Sequence, residues 1–351
     1  MRNFIRLRCH RWNMAGAILL LFQSALSMPG AAAIPSLELV VGARIRAPVT
    51  SPLGHPVQAI NDVIGTGEKA IVVEGETNSL VMFSLDGKSE SRTPNTGPGG
   101  AMLANPVQMA LNDHGELLVL DGQSPRIARF SVQGPSSTLV SVVKLRGVTG
   151  VTGICGFDGR TFVAGATLPI ERSKIIHVIA ADGGVNASFG ESFGQPGEVS
   201  RLLYGASRLL CLSQERLIIV ASKSYPEIRA YDQGGNLRWK QTLPDYHQIS
   251  YKEPQPGQVE YTYPPDNLYD QSISIFTVAK GVIAVQVGRR VARQPDTSIK
   301  SIRTMFLSAV DGGPIGLQMD LPLVKASSAG RLFAIEQPGV LSILSFSMRE
   351  R

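Results

Sequence analysis

The sequence predicts an all-β fold, a six-bladed β-propeller closed by its own N-terminal strand. Three observations carry that prediction. Apolar runs rich in Val, Ile, Leu and Phe alternate with Gly-bearing turns, and helical periodicity is hard to find after Ala33. A hairpin of the kind seen at Leu117–Gly134, LLVLDGQSPRIARFSVQG, keeps returning. Its turns Asp86-Gly87, Gln133-Gly134, Asp182-Gly183 and Gln233-Gly234 fall about 50 residues apart, the spacing of four-stranded blades. Finally, the sixth unit stops one strand short of a blade, while an apolar strand without a partner precedes the first.

The strand pairs that open the units are AINDVIGTGEKAIVVEG from Ala59, VQMALNDHGELLVLD from Val107, VTGICGFDGRTFVAG from Val151, SRLLCLSQERLIIVAS from Ser207, SIFTVAKGVIAVQV from Ser274 and LVKASSAGRLFAIEQ from Leu323. A third strand follows each, such as SLVMFSLDGK, RIARFSVQG and KIIHVIAADGG in the first three units. A β-sandwich has no need of a constant period, whereas radial repetition imposes one. The strand SLELVVGARI, from Ser36, can complete the last blade and cover an edge of unpaired backbone groups. Each hydrogen bond so formed contributes about 1 kcal/mol net.

Ahead of that strand, Arg2, Arg6, Arg8 and Arg11 precede the apolar run MAGAILLLFQSALS and the small residues of MPGAAAIP. Basic, apolar and small in that order is a secretory signal. Residues 1–33 are therefore read as a signal peptide and residues 34–351 as the propeller, in the periplasm or outside the cell. A spanning helix needs about 20 apolar residues, and this run is shorter and holds Gln23 and Ser24. No membrane span is expected after cleavage. Of 34 lysines and arginines, 4 leave with the signal and no acid does, so 30 basic side chains face 28 acidic ones, a net charge of +2. Nucleic-acid binding rests on many clustered phosphate contacts and is not expected. Cys155 and Cys211 occupy matching places on the first strands of successive units. In an exported chain they are either a bridge or two buried small side chains.

NPVQMALNDHGELLVLDGQSPRIARFSVQG resembles an NHL-type repeat, with its Pro, paired apolars, Asp-Gly turn, strand ending in Asp, then Arg-Ile and Phe before a Gly turn. NTGPGGAMLANP and FGESFGQPGEV resemble the links between such repeats. The likeness is clear from about His55 to Gly134, fair in the fourth unit and weak elsewhere. It implies a six-bladed propeller like those of bacterial exported families, which host binding modules and a few enzymes.

Candidate sites follow from the blade plan. The residue ahead of an innermost strand is expected at the channel mouth, which nominates His55, Asn105, Asp270 and Asp320. Lactonases and amidating lyases of similar architecture place a metal there, so a channel-centred divalent-metal hydrolase or lyase is the alternative function. A calcium ion wants six to eight oxygens, and only two acids are offered. Glu74, Asp121 and Glu336, at the ends of second strands, are expected to accept hydrogen bonds from the following turns rather than to act as acids or bases. A Pro-rich inter-blade loop, residues 244–273, holds Tyr246, Tyr251, Tyr261, Tyr263 and Tyr269, five of the eight tyrosines. Loops of that length are usually functional or disordered. In the fifth unit Arg289, Arg290, Arg293, Lys300 and Arg303 crowd an extended turn expected on the same rim. Tyrosine area and guanidinium forks together suit a protein or glycan ligand with acidic groups. No CxxC, HExxH, phosphate loop or elbow serine is present. The expected function is a monomeric, cofactor-free binding module.

Overall fold

The computed structural model describes residues 37–93, 103–167, 169, 173–194, 198–252, 254–255, 258–292 and 299–350. The expected signal peptide, residues 1–33, and Arg293 lie outside the described residues.

The first strand, β1 (Leu37–Pro48), belongs to the last blade. Blade one is β2 (Ile60–Gly65), β3 (Lys69–Glu74), β4 (Leu80–Ser84) and β5 (Ser89–Thr93). Blade two is β6 (Pro106–Leu111), β7 (Glu116–Asp121), β8 (Arg126–Ser131) and β9 (Thr138–Lys144). Blade three is β10 (Val148–Phe157), β11 (Arg160–Thr167), β12 (Ile176–Ile179) and β13 (Val185–Phe189). A short helix, α1 (Glu198–Gly205), leads into blade four: β14 (Ser207–Leu212), β15 (Leu217–Ser222), β16 (Glu227–Asp232) and β17 (Leu237–Thr242). After a small hairpin, β18 (Ser250–Lys252) and β19 (Glu260–Thr262), comes blade five: β20 (Leu268–Ala279), β21 (Val282–Val291), β22 (Ile299–Ser308) and β23 (Pro314–Gln318). Blade six is β24 (Leu323–Ser328), β25 (Arg331–Gln337) and β26 (Val340–Glu350), with β1 outermost.

The innermost strands β2, β6, β10, β14, β20 and β24 each neighbour the next, and β24 neighbours β2, so the circle is closed. The expected six blades and the N-terminal closure are both present. β1 pairs antiparallel with β26 from Leu37 opposite Glu350 to Pro48 opposite Val340, with a bulge between Val41 and Arg44. A side chain reinforces that seam. Gln318 of β23 accepts the Leu39 N–H at 3.1 Å and donates to the Leu39 carbonyl at 3.1 Å.

Hydrophobic cores lie between blades. Phe333 of blade six packs with Val72 and Phe83 of blade one. Trp239 of blade four packs with Met305 and Leu307 of blade five and donates its indole N–H to the Ala309 carbonyl at 2.8 Å. Strands β3, β7 and β15, wholly apolar at their centres, are buried on both faces, which is why they read as continuous apolar runs rather than alternations. Blade contact is close enough to demand glycine: a Cβ on Gly65 would lie 2.1 Å from the Phe333 ring. Gly183, with φ +85°, turns β12 into β13 where a Cβ would lie 2.0 Å from the Lys144 carbonyl oxygen.

Two features depart from expectation. Helix α1 was not anticipated. It brings Tyr204 into the interior, where its hydroxyl donates to the Ile249 carbonyl at 3.1 Å. The extended turn expected around Arg289 and Lys300 is strand for most of its length: β21 runs to Val291 and β22 resumes at Ile299. Polar residues there continue the ladder because β20 also starts early, at Leu268, and supplies the pairing partner. Blade five is thus taller than its neighbours.

Candidate functional site

The inner strands all begin at one face of the ring, here the upper face, which also carries the blade-to-blade links and the turns between second and third strands. Above blade five the long strands form a ribbon. Asp270 pairs with Arg289, and Tyr269 with Arg290, across β20 and β21. Asp270 is buried. Its carboxylate accepts from Arg289 Nε at 2.9 Å and Nη2 at 3.0 Å, from Arg303 Nη2 at 3.0 Å and from the His247 backbone N–H at 3.0 Å. Burial works against its charge, but these donors, Arg289 foremost, hold the carboxyl below the usual aspartate range. Arg289 also reaches the Asp245 carbonyl at 3.2 Å. The triad therefore sews the loop before β20 onto the ribbon.

The five tyrosines of that loop divide by environment. Tyr246 donates its hydroxyl to the Lys223 carbonyl at 3.0 Å, and burial followed by the nearby Asp270 charge pushes that hydroxyl well above the ordinary tyrosine range. Tyr251 sits edge-on to Tyr204 at 4.8 Å between ring centres and to Tyr261 at 5.1 Å. Desolvation leads in pushing its hydroxyl up to about 12. The ladder continues from Tyr204 to Tyr225 and on to Phe193, over which the Arg229 guanidinium lies 4.2 Å from the ring centre. Tyr263 packs against Tyr269 at 5.7 Å. Tyr261, 47% exposed, is the outermost ring of the ladder. Its place on β19, opposite Tyr251 of β18, is fixed by the hairpin register.

The central channel holds a cavity of about 220 Å³. The four residues nominated for its mouth do not line it. His55, Asn105 and Asp320 are exposed in the links between strands, and Asp270 is spent on its two arginines. The charged and polar wall is instead Asp62 of β2, Gln108 of β6, Arg208 of β14 and Lys325 of β24, second or third residues of their strands. Asp62 accepts the Met109 N–H at 2.7 Å and lies 3.9 Å from Arg208. Gln108 is consumed across blade three, donating to the Leu209 carbonyl at 2.7 Å and accepting from the Ile154 and Leu209 N–H groups. Cys155 and Cys211 form a disulfide between β10 and β14, with their Cα atoms 5.5 Å apart, in the same wall.

Lys325 has no carboxylate close enough for an ion pair among the described residues. Desolvation first, then the Arg208 charge, bring its ammonium from 10.5 to about 8. Lys223, on the turn after β15, is exposed. It is held below the usual lysine range by desolvation and by Arg208 and Arg290. Among the described residues no three His, Cys, Asp or Glu side chains gather as metal ligands, so the residues expected to hold a divalent ion do not fit one.

Glu74 and Asp121 accept from their following turns as their positions suggested, whereas Glu336 accepts from the next strand. Glu74 accepts the N–H groups of Glu76 and Thr77 at 2.8 and 2.9 Å. Asp121 accepts from Ala104 and Gln123 and receives Arg126 Nε at 3.1 Å and Nη2 at 3.0 Å. Glu336 takes the Ser342 hydroxyl at 2.8 Å and pairs with Arg44.

No family model matches the chain, the NHL pattern included, and no curated protein matches it. Solved structures share its fold. A member of the DUF4221 family from Bacteroides vulgatus superposes with a TM-score of 0.59 at 11% identity, over 91% of this chain and 100% of that one. A protein of unknown function from Bacteroides thetaiotaomicron gives 0.51 at 9% identity, over 88% of this chain and 77% of that one. Virginiamycin B lyase from Staphylococcus aureus gives 0.49 at 12% identity, over 88% and 99%. At these identities the likeness is one of architecture.

Proposed function

We propose that this protein is an exported binding module whose upper rim above blade five recognises a protein or glycan ligand bearing acidic groups. One observation supports the reading most directly: an ordered aromatic ladder ends in the exposed ring of Tyr261, with exposed Lys252 on the paired strand β18 and exposed Lys300 on β22 of the blade-five ribbon. A ring held from beneath has little rotamer freedom left to lose on contact, so its area converts to affinity at low ordering cost. The nearby cations suit carboxylate or sulfate groups. Export follows from the basic, apolar and small-residue order of the first 33 residues.

The test uses the ligand recovered with the exported chain by affinity purification, compared with a Tyr261→Ala, Lys300→Gln chain that melts normally. The expected outcome is at least a tenfold loss of recovered ligand. Equal recovery, or no ligand with either chain, rejects the rim.

A further inference from the structure

Two cations line the central channel, Arg208 on β14 and Lys325 on β24, and two more stand within electrostatic reach of them, Lys223 on the turn after β15 and Arg290 on β21. They are close enough for Arg208, Lys223 and Arg290 each to disfavour the charged form of Lys325. One acid lines the cavity among the described residues, Asp62, 3.9 Å from Arg208, and its other oxygen already accepts the Met109 N–H. An enclosed ammonium beside like charges is costly unless something neutralises it. Asp270, a buried charge of the same face, has two guanidiniums of its own. Lys325 has no such match.

Arg208 and Lys325 border open space. The cavity of about 220 Å³ that Asp62, Arg208 and Lys325 line equals roughly seven waters at about 30 Å³ each. That is room for a compact anion and part of its hydration shell. We infer that the channel mouth is a binding site for a small oxyanion, or for the oxyanion end of a larger ligand, held by Lys325 and Arg208 with Lys223 and Arg290 at its rim. A guanidinium fork and ammonium groups are the donors that carboxylate, phosphate and sulfate groups take. Gln108 plays no part, since both ends of its amide are bonded to backbone. The site goes beyond the blade-five reading and stands whether or not Tyr261 contacts a partner.

Titration calorimetry on the purified full chain, at fixed ionic strength and pH 7, tests it with two probes whose charge is constant above pH 6. Sulfate stands for tetrahedral groups and acetate for carboxylates, and the tighter of the two identifies the class. One saturable site is expected. Lys325→Gln and Arg208→Gln should each weaken it at least tenfold, and Lys240→Gln, exposed on β17, should leave it unchanged. Asp62→Asn keeps an oxygen for Met109 and removes the competing charge, so it should tighten binding about threefold or more. General damage to the fold cannot produce that gain. Affinity should also fall between pH 7 and pH 9 as Lys325, which Arg208, Lys223, Arg290 and Asp62 face, loses its proton. Absence of saturable binding by either probe overturns the site. So does a Lys325→Gln chain that binds as the wild type does, or an Asp62→Asn chain that binds more weakly.

Discussion

A lysine facing three other cations is a stability statement as well as a binding feature. In the unfolded chain Lys325 keeps a proton up to about 10.5; in the fold it gives the proton up at about 8. Below 8 both states are protonated and the fold bears the full cost of the charge, on the order of 3 kcal/mol at one pKa unit per 1.4 kcal/mol. Between 8 and 10.5 the unfolded state holds more protons, so stability rises with pH, and above 10.5 the cost is gone. Lys325→Met should therefore be more stable than the wild type at pH 7, with the gap shrinking by pH 10 in urea titrations. Asp270 has the opposite sign. Its folded pKa lies below 3.8, so its contribution is present above 3.8 and lost as pH falls through the lower folded value. Asp270→Asn, which leaves two guanidiniums without their counter-charge, should cost about 3 kcal/mol at pH 7, and the difference from wild type should vanish in strong acid. The roles of Glu74 and Asp121 were legible because an acid at a strand end faces a turn full of N–H groups. The apolar pattern puts the start of the fifth inner strand at Ser274 and so leaves Asp270 ahead of it. Beginning at Leu268, the strand sets Asp270 opposite Arg289 instead of at the channel. The true channel wall had a sequence signal, a charged or amide residue at the second or third place of an apolar inner strand, as in Asp62, Gln108, Arg208 and Lys325.

Strands declared themselves where packing alone decides them. The second strands of blades one and two, β3 and β7, buried against neighbours on both faces, leave an apolar signature that needs no partner to interpret. Polar strands did not: Leu268–Ser272 and Gly288–Val291 are held by their mutual ladder and by the Asp270 triad, information that exists only once both are together. Helix α1 escaped for a related reason, being eight residues long and stable through its contact with the tyrosine ladder rather than by propensity. At this scale the seam between β1 and β26 is the element most open to perturbation. Gln318→Ala removes both side-chain bonds to the Leu39 backbone and should lower stability by about 1–2 kcal/mol, read as a shift in urea midpoint with unchanged slope. Hydrogen exchange should show β1 amides opening first, while β3 and β7 remain protected.

The whole ring has two devices against opening, the β1 seam and the Cys155–Cys211 bridge. The bridge encloses a loop of 56 residues, for which chain entropy gives a stabilisation of about 4 kcal/mol. Reduction should lower the melting temperature and leave the far-ultraviolet circular dichroism of the native state unchanged. Retention of the full melting temperature after complete reduction would place the stability in the inter-blade cores instead. The seam also decides where the chain can be handled. Since Leu37 lies opposite Glu350, and β26 ends at the lower face, both ends of the described ring lie together on the side away from the cationic mouth and the tyrosine ladder. A tether or fusion partner attached at either end leaves that upper side unobstructed. A circular permutant that links Glu350 to Leu37 through a short turn and starts afresh at Gly234 should retain both fold and melting behaviour.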